Sequence, residues 1–168
     1  GLAITVSYGN LSHWKALVLA GPGDVIVIAT RDRRDCPEFG AVFVRIAKAK
    51  GVAAIVTDGL IRDKDEIATL GLPVFAAGVH PASPPDPECG TVGLPVMIAG
   101  VQIATGDAVI GDTDGIAVVS RARFAEIAPA LGRQTDKENS LHDSGTALPP
   151  ALAAMLDGFS TLELNAAG

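Results

Sequence analysis

Val25-Ile26-Val27-Ile28-Ala29, then Val42-Phe43-Val44-Arg45-Ile46-Ala47-Lys48, then Val52-Ala53-Ala54-Ile55-Val56-Thr57: these three runs decide the fold. The first is short, wholly apolar and β-branched, the signature of a buried strand. In the second the period changes. Val42, Phe43, Ile46 and Ala47 recur at helical spacing, with Arg45, Lys48 and Lys50 on the other face. Gly51 follows as a natural helix stop. The third run is again a strand. Strand, helix, strand in this order predicts a right-handed βαβ unit with parallel strands, and so an α/β fold.

Outward from this unit the same reading continues. Leu2–Ser7 reads as a strand, and His13–Leu19 as a short helix with Ser12 as its cap. Gly21-Pro22-Gly23-Asp24 is a turn, and Thr30–Phe39 a charged loop. Asp65–Leu70 is a brief helix stopped by Gly71, and Pro73–Ala77 a strand. His80–Gly90 is Pro-rich and irregular. Val92–Met97 pairs with Ala99–Ile103, and Asp107–Ile110 with Ile116–Val119. Arg121–Leu131 is a helix. Gly132–Pro150 is loop-like, Ala151–Leu156 a short helix, and Asn165–Gly168 a frayed end. An α/β domain over 1–131 with a partly helical extension over 132–168 is expected. The chain opens at Gly1 straight into a strand, so a lead-in segment is expected before it.

The composition sets limits on function. At 168 residues the chain suits one domain with a real core, and its 48% hydrophobic content lets burial carry the fold. Aromatics are only 4%, which argues against a stacking surface for single-stranded nucleic acid. The net charge of −6 repels polyanions, so nucleic acid is not an expected partner. A small anionic substrate is compatible, because a local Arg and a metal overcome a diffuse field. Cys36 and Cys89 lack any CxxC spacing, so neither a disulfide framework nor zinc is indicated, and a reducing cytoplasm fits. No apolar run approaches the roughly 20 residues needed to span a bilayer, and no signal peptide is visible.

The concentrated chemistry is Asp58-Gly59-Leu60-Ile61-Arg62-Asp63, directly after the third run. Loops past the C-terminal ends of strands are where α/β folds place function. An Arg beside an Asp there can divide the work. The carboxylate holds a hard cation, and the guanidinium fork grips a substrate carboxylate or enolate. The helix start after Gly40 offers the amides of Ala41, Val42 and Phe43 as an anion cradle. A plain surface ion pair is the competing reading.

The wider sequence resembles the RraA-like family, which includes the class II 4-hydroxy-4-methyl-2-oxoglutarate and 4-carboxy-4-hydroxy-2-oxoadipate aldolases. The resemblance begins at Gly1-Leu2-Ala3-Ile4-Thr5-Val6 and continues through Pro22-Gly23-Asp24-Val25-Ile26-Val27. It is strongest over Ala47–Asp63, where the Asp-Gly-x-x-Arg-Asp pattern follows the helix-start Gly40. Pro73-Val74-Phe75-Ala76 and the run from Gly106-Asp107 to Val118-Val119 extend it. The resemblance implies a ββα sandwich of the swivelling-domain type, with mixed sheets and flanking helices, assembled as a trimer or hexamer. It implies Asp63 as the ligand of Mg²⁺ or Mn²⁺ and Arg62 as the residue that binds the pyruvyl part and stabilises its enolate. The backbone around Gly40, Ala41, Val42 and Phe43 would receive the substrate carboxylate. Glu138 would be the carboxylate supplied from a neighbouring subunit.

Two departures stand out. Most aldolase members carry Glu or Asp where this chain has Ala41, and the nearest alternative is Glu38. This bears on proton transfer more than on metal binding. Ala104-Thr105-Gly106-Asp107 stands where Pro-Gly-Asp is usual, a structural difference.

Other features read as structure. Asp112, Asp114 and Gly115 lack the distal Glu of a calcium loop and predict a hairpin turn. His80 reads as a loop residue, and His13 and His142 lack metal-ligand spacing. Trp14, Cys36 and Cys89 read as packing. Gly21-Pro22-Gly23 precedes its strand, so it is no dinucleotide fingerprint. The functional expectation is a metal-dependent aldolase that releases pyruvate from 4-hydroxy-2-oxo acids, with oxaloacetate decarboxylation as a second activity. The alternative is a non-catalytic protein that binds and inhibits ribonuclease E or another protein. A methyltransferase finds no glycine-rich nucleotide loop here.

Overall fold

The computed structural model describes residues 1–31, 33–83 and 89–143. One compact unit spans Gly1–Arg123, and a second begins at Phe124. In the first, β1 (Leu2–Ser7), β2 (Asp24–Ala29), β4 (Ala54–Thr57) and β6 (Val74–Phe75) lie parallel in the order β1-β2-β4-β6. β11 (Ala108–Gly111) and β12 (Ile116–Val119) extend this sheet antiparallel beyond β1, and β8 (Thr91–Val92) also pairs with β1. The helices α1 (Asn10–Leu19), α2 (Ala41–Ala49) and α3 (Lys64–Leu70) complete a mixed α/β architecture.

The run Val25–Ala29 has no exposed face because each side of the sheet is covered. Ile26 and Ile28 enter the core shared with Ala16, Leu17, Val44 and Ala47 of the helices. Val25, Val27 and Ala29 enter a second core with Val96 and Ile103. Those last two belong to β9 (Val96–Ile98) and β10 (Val101–Ile103), an antiparallel hairpin. Its turn, Ala99-Gly100, has both residues at positive φ, 48 and 79, as a two-residue primed turn requires.

The chain differs from the sequence expectation in four places, each for a stated cause. The charged loop Thr30–Phe39 contains a strand, β3 (Pro37–Phe39), and Leu60–Ile61 forms another, β5. Both are too short to show periodicity. With β7 (Gly78–Val79) they form a separate parallel sheet, β3-β5-β7. The run Val92–Met97 breaks into β8 and β9, because Gly93 takes the left-handed conformation at φ 87. Helix α1 begins at Asn10 and is capped by Gly9, so Ser12 is inside it; the Ser12 hydroxyl accepts from the Gly90 amide at 2.7 Å. Finally, α4 runs from Phe124 to Asp143, through the stretch from Gly132 read as a loop. The segment Ala151–Leu156 and the terminal Asn165–Gly168 lie outside the described residues.

Helix α2 ends as expected. Gly51, at φ 78, follows it; its amide donates to Lys48 O (2.9 Å) and the Val52 amide to Ala47 O (3.1 Å), the two bonds of a Schellman motif. Its apolar stripe is wider than the core it meets. Ala41, Phe43, Val44 and Ala47 are buried, whereas Val42 and Ile46 face outward.

Ile28 is fully buried at the centre of the sheet. Ile28→Ala is expected to lower unfolding free energy by roughly 2–5 kcal/mol, read as a shift of the urea midpoint at unchanged slope.

Candidate functional site

The three short parallel strands set the site. Each follows a strand of the main sheet in sequence, and each ends beside its neighbour. Phe39 pairs with Ile61, and Ile61 with Val79. The residues just past these ends are therefore gathered at one edge: Gly40 after β3, Arg62-Asp63 after β5, His80 after β7. Two backbone bonds pin them, from the Arg62 amide to Phe39 O (3.0 Å) and from the His80 amide to Ile61 O (2.9 Å).

Asp63 caps α3 with its backbone in the left-handed region, φ 61 and ψ 36. Asp tolerates this region better than most residues. The turn directs its carboxylate away from α3 and toward the start of α2, where Oδ2 accepts from the Ala41 amide at 3.1 Å. The positive end of a helix stabilises a carboxylate there by roughly 0.3–1 kcal/mol. Arg62 lies loosely alongside, its Nε 3.7 Å from Asp63 Oδ2 and its guanidinium 3.4 Å from Ser83 Oγ. Both side chains are about 40% exposed, 39% and 42%, so the Arg62 fork keeps donors for a ligand. Gly40 makes this approach possible. A methyl there would stand 2.4 Å from Asp63 Oδ2 and 2.8 Å from Arg62 Cγ.

The predicted residues Gly40, Ala41, Val42, Phe43, Arg62 and Asp63 thus come together, but the amide cradle is smaller than expected. Ala41 N–H is taken by Asp63, and Phe43 N–H donates to Gly40 O at 3.1 Å. The Val42 amide has no acceptor among the described residues. Glu138 lies on α4 in the second unit, where the Gln134 side chain one turn earlier donates to its Oε1 at 2.6 Å.

No cluster of three or more His, Cys, Asp or Glu that could hold a metal occurs among the described residues. Asp63 is a half-exposed carboxylate. That donor set suits a hard cation such as Mg²⁺, which keeps several waters and takes one or two carboxylates plus substrate oxygens. It does not suit zinc.

Two hollows flank the pair. One, about 550 Å³, is lined by Arg62, Asp63, Glu66 and His80, which brings His80 closer to the chemistry than a loop reading implies. The other, about 280 Å³, is bounded by Arg62, Asp63, Gly40 and Val42 and by Trp14, His13 and Glu38. His13 and Glu38 are nearly inaccessible, with side chains 1% and 4% exposed. His13 Nε2 is 3.4 Å from Glu38 Oε2, and its Nδ1 is 3.3 Å from the Glu38 carbonyl. Burial pushes the imidazole down to about 4; the contact with the Glu38 carbonyl opposes this, and the charge of Arg33 adds to it. His13 carries no spacing signal, since its partner is 25 residues away. It faces inward because α1 buries Ser12, His13, Ala16 and Leu17 and leaves Leu11, Trp14, Val18 and Leu19 outside.

The remaining candidates are structural. Asp112 Oδ1 accepts from the amides of Asp114 (2.8 Å) and Gly115 (3.3 Å), closing the β11–β12 hairpin. Asp107 is buried and accepts from the amides of Ala104 and Arg121 (both 2.9 Å). Trp14 packs edge-on against Phe43, with ring centroids 5.4 Å apart, while remaining 42% exposed. Cys36 is buried and Cys89 exposed, and both are free. No helix among the described residues is long and apolar enough to cross a membrane.

A mixed sheet that presents an Arg-Asp pair against a helix start defines a recognisable class. The chain belongs to the RraA-like family: the family model described as Aldolase/RraA matches residues 1–118. It is 33% identical over 153 residues to a Halalkalibacterium halodurans protein named "Putative 4-hydroxy-4-methyl-2-oxoglutarate aldolase", covering 88% of this chain and 72% of that one. A Burkholderia mallei protein of the same name is 33% identical over 103 residues, 61% of this chain and 62% of its own length. Among solved structures, Streptomyces coelicolor RraAS2, titled an unusual member of the RNase ES inhibitor RraA protein family, is 32% identical. It superposes with a TM-score of 0.73, covering 83% of this chain and 74% of that one.

The neutral, buried His13 makes stability depend on pH. Its folded value, about 4, lies below the ordinary 6.5, so the unfolded chain binds the proton more tightly. The contribution is complete above pH 6.5 and is lost as pH falls toward 4. By this linkage the loss amounts to about 3 kcal/mol. His13→Gln is expected to flatten the fall of the urea midpoint between pH 6.5 and 4.

Proposed function

We propose that this protein is a divalent-metal-dependent aldolase that cleaves 4-hydroxy-2-oxo dicarboxylic or tricarboxylic acids to release pyruvate, with oxaloacetate decarboxylation as a second activity. The observation that carries this reading is Asp63, turned by its left-handed backbone onto the start of α2, with Arg62 beside it and only Gly40 between. Asp63 would hold the Mg²⁺ or Mn²⁺. When bound, the cation supplies an electron sink for the carbonyl of a 2-oxo acid. Arg62 offers a fork that grips the substrate carboxylate and keto oxygen and steadies the negative charge that develops as the carbon–carbon bond breaks. The Val42 amide adds one donor for the carboxylate. The aldolase names of the relatives support this class of substrate.

A homo-oligomer, trimer or hexamer, completes the reading. Leu11, Trp14, Val18, Val42 and Ile46, each more than 40% exposed, present apolar surface from α1 and α2, and three of them line the smaller hollow. An apolar surface of this kind suits association, so the site would lie between copies. Glu138 would then be contributed by a neighbour. A reducing cytoplasm suits the free thiols. The likeness to RraAS2 favours a second reading, a non-catalytic protein that binds and inhibits ribonuclease E or another protein.

Asp63→Asn keeps the shape and removes the charge. It is expected to abolish Mn²⁺ binding by calorimetry and pyruvate release, as EDTA does to the parent, with an unchanged circular dichroism spectrum. Pyruvate release by Asp63→Asn that resists EDTA would refute the metal-dependent reading, and a parent protein without activity on any such acid would favour the binding protein. Sedimentation is expected to show an assembly of at least three chains; a fully active 17.1 kDa species would refute shared sites.

A further inference from the structure

We propose that Glu38, backed by His13, is the proton-transfer group of this site. This rests on the aldolase reading and names the residue that the reading lacks.

Retro-aldol chemistry needs a group that takes a proton from the hydroxyl on C4 and returns one to C3. Arg62 stays protonated, and Asp63 accepts from the Ala41 amide and would hold the cation. At position 41 this chain has only a methyl group, and that methyl is 2% exposed and packed in the core with Phe43 and Val44. The acidic residue that lines the hollow stands two residues earlier instead. Glu38 is the middle residue of β3, and it lines the same hollow as Gly40, Arg62 and Asp63.

Its position is enforced. Gly59, in the turn between β4 and β5, leaves room for it, since a methyl there would stand 2.7 Å from Glu38 Cγ. On the other side stands His13, with Nε2 facing the carboxylate and Nδ1 facing the backbone carbonyl of the same residue. A carboxylate and an imidazole set in the almost dry wall of one small hollow form a costly arrangement for packing alone. Such a pair is well suited to passing a proton.

The step balances within the site. The proton of the C4 hydroxyl passes to the Glu38 carboxylate, and the C4 carbonyl forms. The C3–C4 bond breaks, and its electron pair enters the three-carbon fragment as the enolate. After the first product leaves, Glu38 returns the proton to C3 and pyruvate is complete. His13 is a positioning residue. Its ring lies against the Glu38 side chain, Nε2 3.4 Å from Oε2, so its loss acts through Glu38. No external oxidant or reductant is involved.

Exchange of the pyruvate methyl protons for deuterium, followed by NMR on the Mg²⁺-loaded full chain, reports C3 proton transfer without any aldol cleavage. The parent is expected to exchange. Glu38→Gln should slow exchange and lower kcat by about 10²–10⁴-fold, with little change in KM. Its Mn²⁺ and oxalate affinities, measured by calorimetry, should match the parent's. Glu38→Asp, which retains the charge but shortens the reach, should restore part of the rate. His13→Gln should reproduce a smaller loss of kcat at unchanged oxalate affinity. Exchange at the parental rate in well-folded Glu38→Gln overturns the proposal while leaving the aldolase reading intact. Glu38 variants that lose oxalate affinity and rate together give Glu38 a structural role, which also overturns it. A parent that releases no pyruvate and exchanges no methyl protons overturns both readings.

Discussion

The structure depends on the parallel pairing of two very short strands, Pro37–Phe39 and Leu60–Ile61. Neither stands alone. Each follows a strand of the main sheet, and that sheet sets their spacing. Because they end side by side, the residue after one and the two after the other must meet. The Arg62 amide bound to Phe39 O locks the register, and Gly40 removes the side chain that would keep the partners apart. A shift of register would move Arg62 and Asp63 to different faces.

This constraint also explains how the site tolerates its electrostatics. The start of α2 orients the Asp63 carboxylate through the Ala41 amide and the aligned peptide dipoles behind it. The backbone cost falls on Asp63, whose left-handed conformation lets one residue cap α3 and face α2. Strain of this kind persists where the surroundings over-determine it, and it concentrates at functional sites.

Helix α1 carries most of its large apolar side chains on its outer face. The helix buries Ser12 and His13 beside Ala16 and Leu17 and exposes Leu11, Trp14, Val18 and Leu19. In a monomer this would be a poor distribution of apolar surface. It becomes consistent if the outer face meets another chain while the inner face serves the hollow beside Arg62. Trp14 takes part in both, packed edge-on against Phe43 and still exposed along the rim.

The sequence by itself determined the βαβ core, because the helix after Gly40 carries a helical period and the runs Val25–Ala29 and Val52–Thr57 are short, apolar and rich in β-branched residues. It also determined the Arg62-Asp63 pair, the start of α2 and the Gly51 stop, since these are local patterns with local causes. Four things were decided only by the tertiary structure. Strands of two or three residues carry no period, so β3 and β5 could not be read within a charged loop and a turn. The end of α4 depends on helical bonds continuing past Gly132, a residue that locally reads as a stop. The use of the Ala41 amide by Asp63 depends on a contact across 22 positions. The meeting of His13 with Glu38 depends on which face of α1 turns inward, and apolar periodicity points to the opposite one. Local propensity constrains a residue's own backbone, whereas these contacts arise from distant segments packed against one sheet, which no short window of sequence contains.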